Sequence, residues 1–116
     1  MQEAKTHIEL ALKFSLENSE RVWQGLSRFG LGRVLAKTEP THIEAAEQQI
    51  LQGISLLEEL GIATHSSMGY LWLGEVYAEA GRREEALKNL KKAEAMFREM
   101  GMDYWLAKAQ EALAKL

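Results

Sequence analysis

The sequence predicts an all-α chain of about six antiparallel helices stacked as hairpins, and three observations carry that expectation. Apolar residues recur at three- and four-residue spacing over most of the chain, the period of amphipathic helices. A single proline stands in 116 residues, and runs of β-branched residues are scarce. The pattern also repeats. Leu31-Gly32-Arg33-Val34-Leu35-Ala36 matches Leu73-Gly74-Glu75-Val76-Tyr77-Ala78 at an offset of 42, and Leu113-Ala114 follows Leu73-Gly74 at 40. Independently, Ala46, Ile50, Gly53, Leu57, Leu60 and Gly61 match Ala86, Leu90, Ala93, Phe97, Met100 and Gly101 at 40. Ala4, Ile8, Ala11 and Ser15 precede Ala46, Ile50, Gly53 and Leu57 at 42.

Each element has its own local reason. From Gln2 to about Leu16, Ala4, Ile8, Ala11, Leu12 and Ser15 mark one helical face. Asn18-Ser19-Glu20 reads as a break, Asn18 taking a left-handed position and Ser19 capping the next start. A second helix then runs from about Glu20 to Ala36, with Gly25, Gly30 and Gly32 inside it. Each glycine disfavours a helix by roughly 1 kcal/mol relative to alanine, so close packing has to supply what propensity does not. Lys37-Thr38-Glu39-Pro40 reads as a loop, because the residue before proline is pushed out of the helical region. Thr41-His42-Ile43-Glu44 is a capping box that starts a third helix, and Gly61 ends it. A fourth helix begins near Thr64 to Ser67 and stops at Gly81, a fifth spans about Arg83 to Met100 before Gly101, and Asp103 caps a short sixth. The predicted organisation of the single domain, 1–116, is a second helix of a repeat over 1–18, full hairpins over 19–61 and 62–101, and a closing helix over 102–116. A chain opening on a second helix is expected to be a piece of a longer array, since each repeat buries its face only against neighbours.

The order Leu73-Gly74-x-x-Tyr77, turn at Ala80-Gly81-Arg82, then Ala86-x-x-x-Leu90-x-x-Ala93, resembles the tetratricopeptide repeat (TPR), a helix–turn–helix unit. That resemblance implies a TPR-like α-α superhelix, a right-handed solenoid. The period exceeds the usual 34 residues through longer helices and the Pro40 loop, and Tyr70 or Arg28 replaces the tryptophan that opens the usual first helix. The segments Leu57-Glu58-Glu59-Leu60-Gly61 and Phe97-Arg98-Glu99-Met100-Gly101-Met102-Asp103-Tyr104-Trp105-Leu106-Ala107-Lys108-Ala109-Gln110-Glu111-Ala112-Leu113, with this long period, look like the C-terminal TPR region of bacterial class III adenylate/guanylate cyclase or AAA-type ATPase signalling proteins. What this implies is a cytoplasmic, non-catalytic interaction or scaffold module within a larger regulator. In TPR arrays the first helix of each hairpin lines a concave groove. Projected onto this chain, the groove receives Met68, Leu71, Trp72, Glu75 and Glu79 from one helix, and Leu26, Phe29, Gly30, Arg33 and Lys37 from the earlier one. An amphipathic helix or apolar peptide is expected to dock there, anchored by Trp72 and Phe29. The Lys/Asn/Arg clamp that co-chaperone TPR domains use on acidic C-termini is not matched.

Composition and chemistry narrow the alternatives. An apolar share of 47% with 27% charge is that of a globular protein. The formal charge of −3 gives no basis for nucleic acid or an anionic membrane as partner. Cysteine is absent, which removes disulfides and thiol chemistry, and no apolar stretch approaches the roughly 20 residues that span a bilayer. His7, His42 and His65 stand apart, without the one-turn spacing of metal ligands, so neither metal nor cofactor is expected. The pairs Glu58-Glu59 and Glu84-Glu85 read as solvated helix positions rather than acid/base machinery, and no catalytic residue is assigned. Gly30-Leu31-Gly32-Arg33 lacks the strand and Lys-Ser/Thr of a phosphate loop, and the repeat accounts for Gly32. The alternative to peptide binding is self-association, a homodimer formed through exposed terminal helices: Ile8 and Leu12 pairing with a second copy or with the Leu106-Leu113-Leu116 face.

Overall fold

A computed structural model describes the backbone of residues 2–38 and 43–116 and the side chains of 18–38 and 43–116. It contains five helices: α1 (Gln2–Thr38), α2 (Ile43–Glu59), α3 (Ala63–Glu79), α4 (Arg83–Met100) and α5 (Asp103–Ala114). No strand occurs among the described residues. The Thr41-His42 start signal, the Glu39-Pro40 part of the predicted loop, and the side chains of Ile8 and Leu12 lie outside the described residues.

Three of the turns are copies of one device spaced twenty residues apart. Gly61, Gly81 and Gly101 carry φ of 74°, 78° and 69°. At each, the glycine N–H donates to the carbonyl three residues back and the next N–H donates to the carbonyl five back: Ile62 to Leu57, Arg82 to Tyr77, Met102 to Phe97. This is the Schellman arrangement, which satisfies carbonyls that a helix end leaves open. A side-chain L-residue in that left-handed conformation costs about 1–2 kcal/mol, so glycine fixes where the chain turns.

The same logic explains why there are five helices and not six. At an offset of 42, Ser19 stands where Gly61 stands and Glu20 where Ile62 stands. The sequence Asn18-Ser19-Glu20 offers neither glycine nor an apolar residue to build the turn, and continuing the helix there costs only the modest propensity penalty of Asn and Ser. The helix therefore runs through, and the predicted break is absent: α1 is one element of 37 residues, roughly 55 Å at 1.5 Å per residue. Lys37 and Thr38, read as loop, form its last turn, where Thr38 Oγ1 donates to the Val34 carbonyl at 3.0 Å. Asp103 is likewise not a cap. It is the first residue of α5, behind Met102, and its carboxylate favours the positive end of the helix dipole from within the first turn.

The helices fall into two layers. α1, α3 and α5 follow one another in one layer, whereas α2 and α4 lie in the second and do not touch each other among the described residues. Glycines set the distance within each hairpin. A Cβ on Gly32 would lie 2.6 Å from Ile50 Cγ1, and one on Gly74 would lie 2.6 Å from Leu90 Cδ2 and Cγ, so the two hairpins make equivalent contacts at equivalent positions. α3 is buried on both flanks, through Ser66, Ser67, Gly69, Leu71, Leu73, Gly74, Val76 and Tyr77, whereas α4 buries a single stripe of Ala86, Leu90, Ala93 and Phe97. Its two flanks serve two cores. Leu73, Val76 and Tyr77 join Phe29, Ile50, Ile54 and Leu57, while Leu71 joins Leu90, Ala93, Phe97 and Ala109. The two buried serines of α3 return their hydroxyls to their own helix, Ser66 Oγ to Ala63 O at 3.3 Å and Ser67 Oγ to Thr64 O at 2.9 Å, so no polar group is stranded.

Candidate functional site

Because α1, α3 and α5 share a layer, their outward side chains meet along α3. Trp72 is the centre of that meeting. Its ring stands edge-on to Phe29 of α1 at 5.5 Å and edge-on to Trp105 of α5 at 6.1 Å, and Trp105 in turn packs against Tyr104 at 5.5 Å and Phe97 at 6.1 Å. Edge-to-face pairs at these separations contribute about 0.5–1.5 kcal/mol beyond burial. The Arg33 guanidinium lies over the Trp72 ring, 4.6 Å from its centroid, a cation–π contact that holds the exposed arginine against the half-buried ring.

One and two turns further along α3 come Glu75 and Glu79. They separate two clefts. One, of about 80 Å³, is bounded by Arg33, Ala36 and Lys37 of α1 and by Trp72, Glu75 and Glu79. The other, of about 370 Å³, lies between Glu75, Ala78 and Glu79 on one side and Lys108, Glu111, Ala112, Lys115 and Leu116 on the other. The arrangement is an acidic ridge on α3 with Arg33 and Lys37 on one flank and, on the other, Lys115 and a Lys108 that lies 3.9 Å from Glu111. Partial burial pushes the Glu75 carboxyl above its usual range and neighbouring Glu79 adds to this, against the opposing pull of Arg33, Lys115 and Lys37.

The structure brings five of the ten residues projected from the sequence around one cleft. Trp72, Glu75, Glu79, Arg33 and Lys37 line one cleft. Leu26 and Met68 are half-buried against the two cores. Phe29 and Leu71, expected at the open surface, are almost fully buried. Phe29 is drawn in because glycines leave room for its ring: a Cβ on Gly53 would lie 2.8 Å from Phe29 Cε1, and one on Gly69 2.5 Å from Cζ. Leu71 points to α4 and α5 rather than outward. Phe29 therefore supports Trp72 from beneath instead of offering a contact of its own. Gly30 is exposed and has nothing near it.

The α5 contribution, Trp105, Lys108 and Lys115, was not projected, although the offset of 40 that relates Leu73 to Leu113 also carries Met68 to Lys108 and Glu75 to Lys115. Elsewhere the charged groups hold helices together. Tyr77 donates its hydroxyl to Glu47, and burial followed by that carboxylate pushes the phenol well up; Arg82 binds Glu85 at 2.7 Å and lies 3.6 Å from Glu47. Glu58 accepts from the Tyr70 hydroxyl at 2.6 Å and Glu59 pairs with Arg21 at 3.4 Å, which gives both members of that carboxylate pair structural partners. His65 Nδ1 contacts Thr64 Oγ1 at 3.2 Å; among the described residues no three potential metal ligands gather, and no helix is long and apolar enough to cross a membrane.

No family model matches the chain, and no curated protein or solved structure matches it either.

Proposed function

We propose that this chain is a non-catalytic protein-interaction module, a segment of a TPR-like right-handed solenoid that takes a peptide or an amphipathic helix along the α1–α3–α5 layer. The observation that carries this reading is the site itself: a half-buried tryptophan lining one of two clefts that share the carboxylates of the central helix, with cations on both flanks. Aromatic rings braced from behind make good anchors, because they offer apolar area with little entropy left to lose. The clefts on either side of Glu75 and Glu79 suit a helical segment that presents an apolar side chain to Trp72 and a basic group to the ridge. The sequence resemblance extends the proposal to the setting, a cytoplasmic bacterial regulator in which this module relays a signal to a catalytic part elsewhere.

A displayed library of amphipathic helical peptides, selected against the intact chain and mapped by amide and indole shifts, tests the reading. Binders are expected to move the Trp72 indole and the Glu75, Glu79 and Lys115 amides, and to lose tenfold or more in affinity to the Glu79→Lys/Lys115→Glu variant, whose changes are both at exposed positions. Binders that map to the α2–α4 layer, or that ignore the charge reversal, refute it.

A further inference from the structure

The α1 helix has one face that its repeat-equivalent buries and it does not. At the offset of 42, Leu31 corresponds to Leu73 and Val34 to Val76. Leu73 and Val76 are 1% and 6% exposed, whereas Leu31 and Val34 are 48% and 56% exposed. Trp23, on the same face two turns earlier, is 67% exposed, and with Ser27 and Leu31 it borders an open depression of about 560 Å³. On α3 this face is covered by the preceding helix, α2: a Cβ on Gly69 would lie 2.5 Å from Ile54 Cγ1. On α1 no described residue covers it.

The chain also carries a segment patterned to cover such a face. Ala4, Ile8, Ala11 and Ser15 repeat Ala46, Ile50, Gly53 and Leu57 of α2 at 42, and Leu12 stands where Ile54 does. In α2 these positions are buried. Residues 2–17, however, belong to α1 itself, one continuous helix from Gln2 to Thr38. Within one continuous helix a residue cannot fold back on another four turns away, so a copy cannot cover its own face.

We propose that two copies cover each other, by exchanging residues 2–17 in an antiparallel pair of α1 helices. The register follows from α2 and α3: the Ile54–Gly69 contact, less 42 at each position, sets Leu12 against Ser27 of the second copy, and by the same antiparallel count Ile8 against Leu31 and Leu16 against Trp23. The sum of each pair is 39, so the two-fold axis passes between Ser19 and Glu20, where the sequence lacks the glycine a hairpin would need. Each copy thus receives from its partner the helix that an intramolecular hairpin would have supplied, which is the geometry of a domain swap with an isologous interface.

The absence of cysteine makes the test direct. In the Leu12→Cys/Ser27→Cys chain, mild oxidation at 50–100 µM is expected to give a disulfide-linked species of twice the chain mass, and light scattering of the wild type to give a dimer. The Leu31→Lys/Val34→Lys variant, altered only at exposed positions, is expected to weaken that dimer at least tenfold while keeping its helical circular dichroism. Three results overturn the proposal. A disulfide within one chain means that residues 2–17 fold back. A dimer without the cross-link means that another surface pairs. A single-chain mass from 1 to 500 µM means that the face stays open.

Discussion

The second half of α1 and the whole of α3 are the same helix written twice, and they differ in how many neighbours they have. Leu31 and Leu73, Val34 and Val76, Gly32 and Gly74 occupy matching positions. Both helices bring their glycine against the helix that follows, Gly32 to Ile50 and Gly74 to Leu90. Only α3 also has α2 packed before it, and only there are the leucine and valine buried. Burial in a stacked array is thus a property of the neighbour and not of the residue: the same apolar letter is core in one hairpin and surface in the other. Leu73→Ala is therefore expected to cost about 2–5 kcal/mol, the range for truncating a buried leucine, and Leu31→Ala no more than about 0.5 kcal/mol in dilute solution. Urea unfolding of the two variants measures the gap. Equal losses would abolish the contrast, and a gap that narrows as concentration rises would show a second copy covering α1.

Glycine gives a finer version of the comparison, inside α1 itself. Gly30 and Gly32 are two residues apart, on opposite faces. A Cβ on Gly32 would meet Ile50 Cγ1 at 2.6 Å and the Ala46 carbonyl at 2.9 Å, whereas nothing lies within 4 Å of one on Gly30. Gly30→Ala is expected to stabilise by about 0.5–1 kcal/mol, the helical cost of glycine relieved. Gly32→Ala and Gly74→Ala are expected to destabilise by about 1–3 kcal/mol, since the backbone of the facing helix has to move. Thermal melts read as ΔTm put the three in order; a stable Gly32→Ala would mean that α1 and α2 are not held at glycine distance.

What could be read from the sequence was what local chemistry decides. Gly61, Gly81 and Gly101 announced the helix ends because a left-handed residue at a Schellman turn is a local demand. Periodic small residues announced the hairpins for a similar reason: Gly74 against Leu90 needs no knowledge of a third helix. Asn18-Ser19 misled because both residues favour a cap yet are tolerated inside a helix, and the deciding fact is a glycine that is missing. Phe29 misled for a different reason. Its ring is drawn inward by spaces at Gly53 and Gly69, on two other helices, and nothing in its own helix reports them. Lys108 and Lys115 of α5 were legible in principle, through the same offset that relates Leu73 to Leu113, but they needed the first helix of each hairpin to be followed into α5.

The smallest expected effect bears on the ridge where α1, α3 and α5 meet, and its sign decides what Glu75 does there. Burial raises the Glu75 pKa, so the folded chain holds that proton more tightly than the unfolded one does. For a carboxyl raised in this way, stability is greatest below the unfolded value and falls as pH rises through the folded one. At neutral pH the ionised group is therefore a standing penalty, and Glu75→Gln is expected to raise stability slightly, within about 0.5 kcal/mol for so accessible a site. The gain is expected to vanish under acid conditions, below the usual glutamate range, where both side chains are neutral. If Arg33, Lys37 and Lys115 outweighed burial, the substitution would instead destabilise at neutral pH and become neutral in acid. Denaturant midpoints of the two chains across the acidic range distinguish the cases. Stability gained on Glu75→Gln marks a carboxylate that the fold holds at a cost, in keeping with the proposed recognition of a basic group.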